Sequence, residues 1–164
     1  QLRELTYMLT KTSEVGIQTL IYLSVLDSED PISPKRIAQE LGHSPSYLSK
    51  ITGQLVKANL LVAHRGVHGG VTMARTPDAI SVLDIVQALQ GLITGNYCAQ
   101  TAHHPEPVCA FHMAMREVHT VTINTLSKWS VSDLIANPVS RVPVASGARC
   151  KMEALRDIIA KKDA

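Results

Sequence analysis

Two short helices that begin alike and lie almost end to end set the strongest constraint on this chain. The stretch SPKRIAQELG (33–42) begins with Ser33 as an N-cap, has Pro34 in its first turn and stops at Gly42. The stretch SPSYLSKITGQLVKANLL (44–61) begins in the same way. Because a single residue and a cap separate the two helices, they must cross at a steep angle. The pair predicts a helix-turn-helix.

A glycine-rich basic stretch, RGVHGGVTMAR (65–75), comes soon after the second helix. Residues 60–62 predict a short strand, and residues 71–73 predict its return. Three glycines lie between them, and glycine suits the positive φ angles of hairpin turns. A hairpin directly after a helix-turn-helix is the order of a winged helix. Its tip would carry Arg65 and His68 within reach of a phosphate or of the minor groove.

Helical spacing of apolar residues also occurs before and after this unit. A first helix is predicted over about 13–27, with Thr12 or Ser13 as its N-cap. Another helix is predicted to begin at Ser81, as N-cap, and to end at Gly91. Both helices would add apolar faces to the core of the winged helix.

A longer helix is predicted from about residue 109 to residue 129. A long amphipathic helix beyond a winged helix has little of its own domain left to cover it, so pairing with a second copy is the simplest burial. Packing back onto the first helix is the alternative. Residues 150–161 predict a weaker terminal helix. The expected stripe of the long helix is Met115, Val118, Thr122, Thr125 and Trp129.

Positive charge is concentrated in one part of the chain, although the net charge of the whole chain is only +2. Between Pro31 and Thr76 there are six Lys and Arg residues and one acidic residue, Glu40. A local basic patch in a nearly neutral chain predicts an anionic partner such as double-stranded DNA. A solvated face is the plainer interpretation of the same charges.

Composition excludes several other classes of protein. No apolar run reaches the length of a membrane span, and the polar, mixed N-terminus does not resemble a signal peptide. Three cysteines at uneven spacing disfavour a disulfide framework. We therefore expect a cytoplasmic protein with reduced thiols and no membrane partner. Met8 is a candidate natural start, and no function is assigned to residues 1–7.

Taken together, these stretches resemble the Rrf-two family of bacterial winged-helix transcriptional regulators. The resemblance covers about residues 8–137. Family members are dimeric, and several of them sense iron–sulfur status, nitric oxide or redox state. The matching stretches are LTKTSEVGIQTLIYL (9–23), IAQELGHSPSYLSKITGQLVKANLL (37–61), RGVHGGVTMAR (65–75) and ISVLDIVQALQG (80–91).

The expected fold is mostly α-helical with a small β-hairpin wing, and the chain divides into four parts. These are a winged helix-turn-helix over 8–91, a sensor loop over 92–108, a dimerisation helix with a short following helix over 109–137, and a tail over 138–164.

The resemblance implies that the helix starting at Ser44 enters the major groove of a palindromic operator. Some relatives carry Glu at the position of Ser49, so the operator sequence does not carry over. Many relatives also have Tyr at the position of Val71, where valine suits a strand equally well. The resemblance also implies that the chain is a homodimeric regulator, and repression is its expected effect. The candidate DNA-binding residues are Ser44, Ser46, Tyr47, Ser49, Lys50, Gln54, Arg65 and His68.

The sensor loop differs from that of cluster-binding relatives, which usually have three closely spaced cysteines here. This loop has Cys98 and then Cys109, with ten residues between them. In one branch of the family a histidine three residues after the last cysteine ligates the cluster, and His112 matches it. In other branches an acidic residue from the partner subunit is a ligand, and Glu14 matches that position. These four residues are the candidate ligands of a 2Fe–2S cluster.

Several other interpretations of these cysteines stay open. Cys98, Cys109 and His112 with His103 or His104 would give zinc four ligands, although the spacing fits no common zinc module. Two free thiols left from a cluster-binding ancestor, or thiols that sense oxidation directly, are cofactor-free alternatives. Cys150 in the tail is not expected to be a ligand.

Two rival functions lack support in the rest of the sequence. An enzyme that uses Cys109 as nucleophile and a histidine as base would need an oxyanion device and a substrate pocket, and neither has a sequence signature here. A winged helix that only docks proteins would bind DNA weakly and without steep salt dependence. The sequence therefore favours a DNA-binding regulator that is not an enzyme.

Overall fold

The computed structural model describes residues 9–91 and 109–136. The predicted terminal helix over 150–161, Cys150 and the whole predicted sensor loop over 92–108, with Cys98, His103 and His104, lie outside these ranges. The elements are helices α1 (Lys11–Leu26), α2 (Pro34–Leu41) and α3 (Pro45–Lys57), strands β1 (Leu61–His64) and β2 (Gly70–Met73), a 3₁₀ turn (Pro77–Ala79), and helices α4 (Val82–Gln90), α5 (Ala110–Lys128) and α6 (Val131–Ala136). This order confirms a mostly helical fold with a two-stranded antiparallel wing.

Helix α1 runs through the middle of the core and is buried on nearly all sides. It starts two residues earlier than predicted. The N-cap is Thr10, whose hydroxyl accepts a hydrogen bond from the backbone N–H of Ser13 at 3.2 Å. The expectation of Thr12 or Ser13 as N-cap was wrong, because the hydroxyl of Thr10 already satisfies an N–H group of the first turn.

The helix-turn-helix has the caps that the sequence predicts. The hydroxyl of Ser33 accepts from Arg36 N–H at 3.2 Å, and that of Ser44 accepts from Tyr47 N–H at 3.3 Å. Gly42 ends α2 with a left-handed φ of 68°. This residue turns the chain sharply enough for α3 to start within three residues. The two helices bury a shared apolar face formed by Ile37, Ala38, Leu41, Leu48, Ile51 and Leu55.

The wing is a hairpin in which Leu61 pairs with Met73 and His64 pairs with Gly70. Ile32 adds one residue of a third strand, because it exchanges backbone hydrogen bonds of 2.9 and 3.0 Å with Val71. The predicted strands are confirmed, and each extends further into the hairpin than residues 60–62 and 71–73 indicated.

The three wing glycines have two different roles. Only Gly66 has a positive φ, of 114°. A Cβ atom on Gly69 would lie 2.5 Å from the carbonyl oxygen of His64, and one on Gly70 would lie 2.5 Å from the backbone of Ile32. Two of the three glycines therefore allow close backbone approach, and the expectation of a positive φ holds only at the first.

Two glycines offer a matched test of this packing. We expect Gly70→Ala to lower the free energy of unfolding by about 2–4 kcal/mol, because the added methyl group meets backbone that cannot rotate away. Gly53→Ala, on the exposed side of α3 with no atom within 4 Å of the new methyl group, should raise it by about 0.5–1 kcal/mol. Urea unfolding of both variants measures the difference. Equal stabilities would contradict the close approach at Ile32.

The junction between α5 and α6 is fastened to the start of α4. Val82 N–H donates to the Trp129 carbonyl at 2.8 Å, and Val131 N–H donates to the Ile80 carbonyl at 2.9 Å. Ser81 and Ser130 cap α4 and α6 in the same way, each exchanging hydrogen bonds with an aspartate three residues later. These hydrogen bonds from Ser130 hold the pKa of that aspartate, Asp133, below its ordinary value. Val131 is fully buried, so the start of α6 completes the core.

The long helix α5 has two faces where the sequence predicted one. A face of His112, Met115, His119, Thr122 and Leu126 is partly or fully buried. The other face is solvent-exposed, and Val118, Thr125 and Trp129 lie on it. The predicted stripe was therefore wrong in detail, because it merged Met115 and Thr122 of the inner face with these exposed residues.

None of the helices within residues 9–91 and 109–136 is long and apolar enough to cross a membrane.

Candidate nucleic-acid interface

Helix α3 presents one polar, basic face to solvent. Leu48, Ile51 and Leu55 are fully buried, so the opposite side of the helix points outward. Ser46, Ser49, Lys50, Gly53 and Lys57 are all exposed on that side. A helix of this kind, with hydroxyl and ammonium groups exposed on one face, has the chemistry needed to contact base edges and phosphates.

The three predicted serines all have hydrogen-bond contacts at the start of this helix. The hydroxyl of Ser44 caps the helix and lies 3.4 Å from that of Ser46. The hydroxyl of Ser49 donates to the Pro45 carbonyl at 2.9 Å. Ser44 therefore fixes where α3 begins, and Ser49 keeps its oxygen available only as an acceptor. Lys50, and Ser46 with only the long 3.4 Å contact to Ser44, are the least constrained polar groups of the first two turns.

Tyr47 joins the start of α3 to the start of α1. Its hydroxyl oxygen lies 3.2 Å from Thr12 Oγ1, and its ring meets the His43 ring edge-on with centroids 6.0 Å apart. Burial lowers the pKa of His43, and the positive charge of Lys11 lowers it further. The folded state therefore favours the neutral ring. The free energy of unfolding is higher above the unfolded pKa of histidine, and this gain is lost as the pH falls through the lowered pKa of His43.

We expect Tyr47→Phe and Thr12→Val to lower the free energy of unfolding by the same amount, about 0.5–1.5 kcal/mol, because each removes the same hydrogen bond. The double variant should lose no more than either single one, and urea unfolding of all three measures this coupling. Operator affinity should fall equally in the two single variants. A larger loss in Tyr47→Phe alone would mean that the hydroxyl contacts DNA directly.

Gln54 is placed differently from the other candidates of α3. Its side-chain oxygen is buried and has no hydrogen-bond partner within the described part of the chain. The oxygen therefore does not face the exposed side of the helix, and only the amide nitrogen is left for a contact there.

The tip of the wing projects fully into solvent. Arg65 and His68 are exposed, as the sequence predicted, and Val67 between them is 98% exposed. His64, at the end of β1, lies 2.8 Å from the Thr72 hydroxyl through its Nε2 atom, which braces the hairpin below the tip. Sequence reasoning missed Val67 and Gly53, although an apolar residue in a glycine-rich turn and a glycine inside a helix are both recognisable signals.

The start of α5 carries two of the candidate sensor residues. Cys109 is exposed with a free thiol and is the N-cap of α5, without a side-chain hydrogen bond to the helix. One turn later, the Nδ1 atom of His112 is buried and has no hydrogen-bond partner among the described residues. Thiolate and imidazole both suit iron, so this corner fits part of a cluster site.

Glu14 lies in the first turn of α1, where its carboxylate is 3.7 Å from the Lys11 ammonium. Across residues 9–91 and 109–136, no three His, Cys, Asp or Glu side chains come together as a metal site. Glu14 is therefore not gathered with Cys109 and His112 within one copy of the chain.

The comparisons with known proteins identify the winged helix. A family model described as "Rrf2: Iron-dependent Transcriptional regulator" matches residues 9–137. The chain belongs to the Rrf2 family. This confirms both the predicted family and the predicted general function of a DNA-binding transcriptional regulator. The family is one of regulators, which agrees with the expectation that the chain is not an enzyme.

Solved structures of similar proteins support the same fold. CymR, the global cysteine regulator of B. subtilis, is 26% identical, with a TM-score of 0.63 over 82% of this chain and 100% of its own. T. potens IscR is 24% identical, with a TM-score of 0.64 over 90% of this chain and 97% of its own. The oxidized form of Staphylococcus aureus CymR is 23% identical, with a TM-score of 0.60 over 78% of this chain and 95% of its own. The Rrf2 regulator described here shares their winged-helix architecture.

Proposed function

We propose that this Rrf2 protein is a homodimeric repressor that recognises a palindromic operator with α3 and the wing. The observation that carries the proposal is the exposed face of α3, with Ser46, Ser49 and Lys50 free of the core. Arg65 and His68 extend the same chemistry onto the wing. In the dimer, two copies of α3 would occupy major-groove half-sites about one helical turn apart. The protein would act in the cytoplasm, where its DNA lies.

The other predicted DNA-binding residues have supporting roles in this proposal. Ser44 fixes the first turn of α3, Tyr47 ties that turn to α1, and Gln54 lies further along with its oxygen turned inward. Val67 would make an apolar contact at the end of the wing.

The dimer contact would use the exposed stripe of α5. Phe111, Val118, Val121 and Trp129 are between 46% and 64% exposed. Their spacings of seven, three and eight residues keep them on one side of the helix. It is unfavourable to leave four large apolar side chains on one side of a helix exposed to water. The simplest way to bury them is to pack them against the same four side chains of a second copy. We call these four residues the apolar stripe. None of them belongs to the inner face of α5.

The regulatory signal would act through Cys98 and Cys109. A bound 2Fe–2S cluster would supply a centre that changes its redox state or its ligands. Cys109 and His112 would hold it from the start of α5, with Cys98 from the loop outside the described residues. The resemblance assigns the acidic ligand to the other subunit, and within the described residues of one copy Glu14, Cys109 and His112 do not form a three-residue metal site. In this proposal the DNA-binding domain spans 8–91 and the sensor loop spans 92–108. The dimerisation helices span 109–137, and the tail spans 138–164.

Operator binding is tested by enriching duplexes from a random-sequence library and measuring their affinity by fluorescence anisotropy at several salt concentrations. We expect a two-fold symmetric consensus and a steep decrease in affinity with salt. A weak, salt-insensitive interaction would indicate a protein-docking winged helix instead.

The signal is tested by anaerobic purification followed by absorbance, iron and sulfide measurements. We expect visible charge-transfer bands with iron and sulfide in equal amounts, and their loss in Cys98→Ala and Cys109→Ala. Cys150→Ala is the matched control and should keep the bands. An iron-free protein whose operator affinity changes on thiol oxidation would move the signal to the cysteines themselves. Zinc in place of iron would support the site with His103 or His104.

A further inference from the structure

A groove of about 680 Å³ lies beside the wing, between the end of α1 and the outer edge of β2. None of the residues assigned above to DNA or to the sensor lines it. Its floor is apolar, formed by Leu23, Ile32, Val71 and Met73. This volume is in the usual range for small-molecule sites, which combine an apolar lining with a few polar groups.

Both signs of charge border this groove without being paired to each other. Asp27 and Glu29 lie on the wall that follows α1 and make no side-chain hydrogen bond or ion pair within residues 9–91 and 109–136. Arg75 lies on the wall that follows β2, and its Nε–H donates to the Asn59 carbonyl at 3.2 Å. This bond holds the guanidinium in place while its terminal NH₂ groups stay available. Separate, unpaired charges of opposite sign suit a ligand that carries both.

The edge of β2 supplies a backbone donor and acceptor in the same groove. Val71 exchanges both of its backbone hydrogen bonds with Ile32 on this edge. Because strand residues alternate, the N–H and C=O groups of Met73, two residues later, point to the same side. There the one-residue pairing with Ile32 has ended, and no backbone bond joins Met73 to another segment at this edge within the described ranges.

We propose that this groove binds a free α-amino acid with an apolar side chain. An α-amino acid presents its ammonium and carboxylate at nearly the spacing of one strand residue, which complements the C=O and N–H of Met73. Asp27 would receive the ammonium, Arg75 would receive the carboxylate, and the side chain would lie on the apolar floor. The binding itself is independent of DNA. A regulatory effect on the operator, transmitted through the wing strand that forms one wall, rests on the function proposed above.

The test is calorimetry and thermal unfolding of the full chain without DNA, with L-leucine, L-methionine and L-phenylalanine at millimolar concentration. We expect at least one of them to bind and to raise the Tm. Its methyl ester, which lacks the carboxylate, and its N-acetyl derivative, which lacks the ammonium, should each bind about tenfold more weakly or worse.

Variants of the groove make the test specific. Asp27→Asn keeps a residue that tolerates the left-handed φ of 48° at this position, and we expect it to weaken binding about tenfold or more. Arg75→Gln should do the same, and Arg75→Lys, which keeps the charge, should bind better than Arg75→Gln. Asp78→Asn, an exposed acidic residue outside the groove, is the control and should bind normally.

The proposal is overturned if none of the three amino acids binds at millimolar concentration. It is also overturned if the blocked derivatives bind as well as the free amino acid, or if Asp27→Asn and Arg75→Gln bind normally. Because these measurements contain no DNA, failure of the operator experiment leaves their result unaffected.

Discussion

We expect the replacement of Lys50 or Arg65 with alanine to lower operator affinity by about 30-fold or more. Each contact to a base or phosphate contributes about 1 kcal/mol or more, and a two-fold symmetric complex loses the contact at both half-sites. Both side chains are exposed and outside the core, so the fold is retained. Fluorescence anisotropy on the enriched operator, with circular dichroism to check folding, measures the effect.

The dependence of the affinity loss on operator sequence identifies the kind of contact that each side chain makes. If Lys50 contacts a base edge, its variant tolerates changes at one operator position, whereas a phosphate contact weakens all sequences alike and reduces the salt slope by about one per contact. Lys128→Ala, an exposed lysine in the last turn of α5, is the matched control and should bind normally. Retained affinity in both Lys50→Ala and Arg65→Ala would rule out the proposed docking of α3 and the wing.

We expect a charge placed on the apolar stripe to break the proposed dimer. We expect Val118→Glu to raise the Kd of dimerisation by about 100-fold or more. A two-fold interface contains the change twice, and each buried, unpaired carboxylate costs several kcal/mol. Analytical ultracentrifugation measures the mass, and operator affinity should fall with it, since a monomer occupies a single half-site.

Thr120→Glu is the control for this prediction. Thr120 is exposed on the same helix, but it lies away from the apolar stripe, and its hydroxyl donates only to the Arg116 carbonyl of its own helix. The variant carries the same added charge and should stay dimeric. A Val118→Glu protein of unchanged mass would show that the dimer uses another surface.

Local signals in the sequence were enough to predict most of the helices. Ser33, Ser44 and Ser81 all cap the helices expected of them, because an N-cap acts within three residues of itself and needs no tertiary contact. Thr10 was missed because Thr12 and Ser13 carry the same kind of hydroxyl. The structure selects the residue whose side chain reaches the first turn.

Features that depend on distant segments were not predictable in the same way. Periodicity alone did not separate Thr122 from Val118, because which side of α5 is covered depends on where α4 lies. The close approach of Gly70 to Ile32 joins residues almost forty positions apart. The groove beside the wing is formed by the end of α1, the wing and the segment after it, so no single stretch of sequence indicates it.

The fastening of the α5–α6 junction to the start of α4 has a consequence for how such regulators can be rearranged. Val131 fills the core from beyond α5, and the two backbone hydrogen bonds of the α5–α6 junction hold it there. A fragment ending at Gly91 would lack this side chain and leave the N–H of Val82 and the carbonyl of Ile80 without their partners. The winged helix over residues 9–91 is therefore not a unit that can be separated from α5 and α6 without loss of core packing. Any rearrangement of this chain that keeps the fold therefore has to keep the helices on both sides of residues 92–108 together.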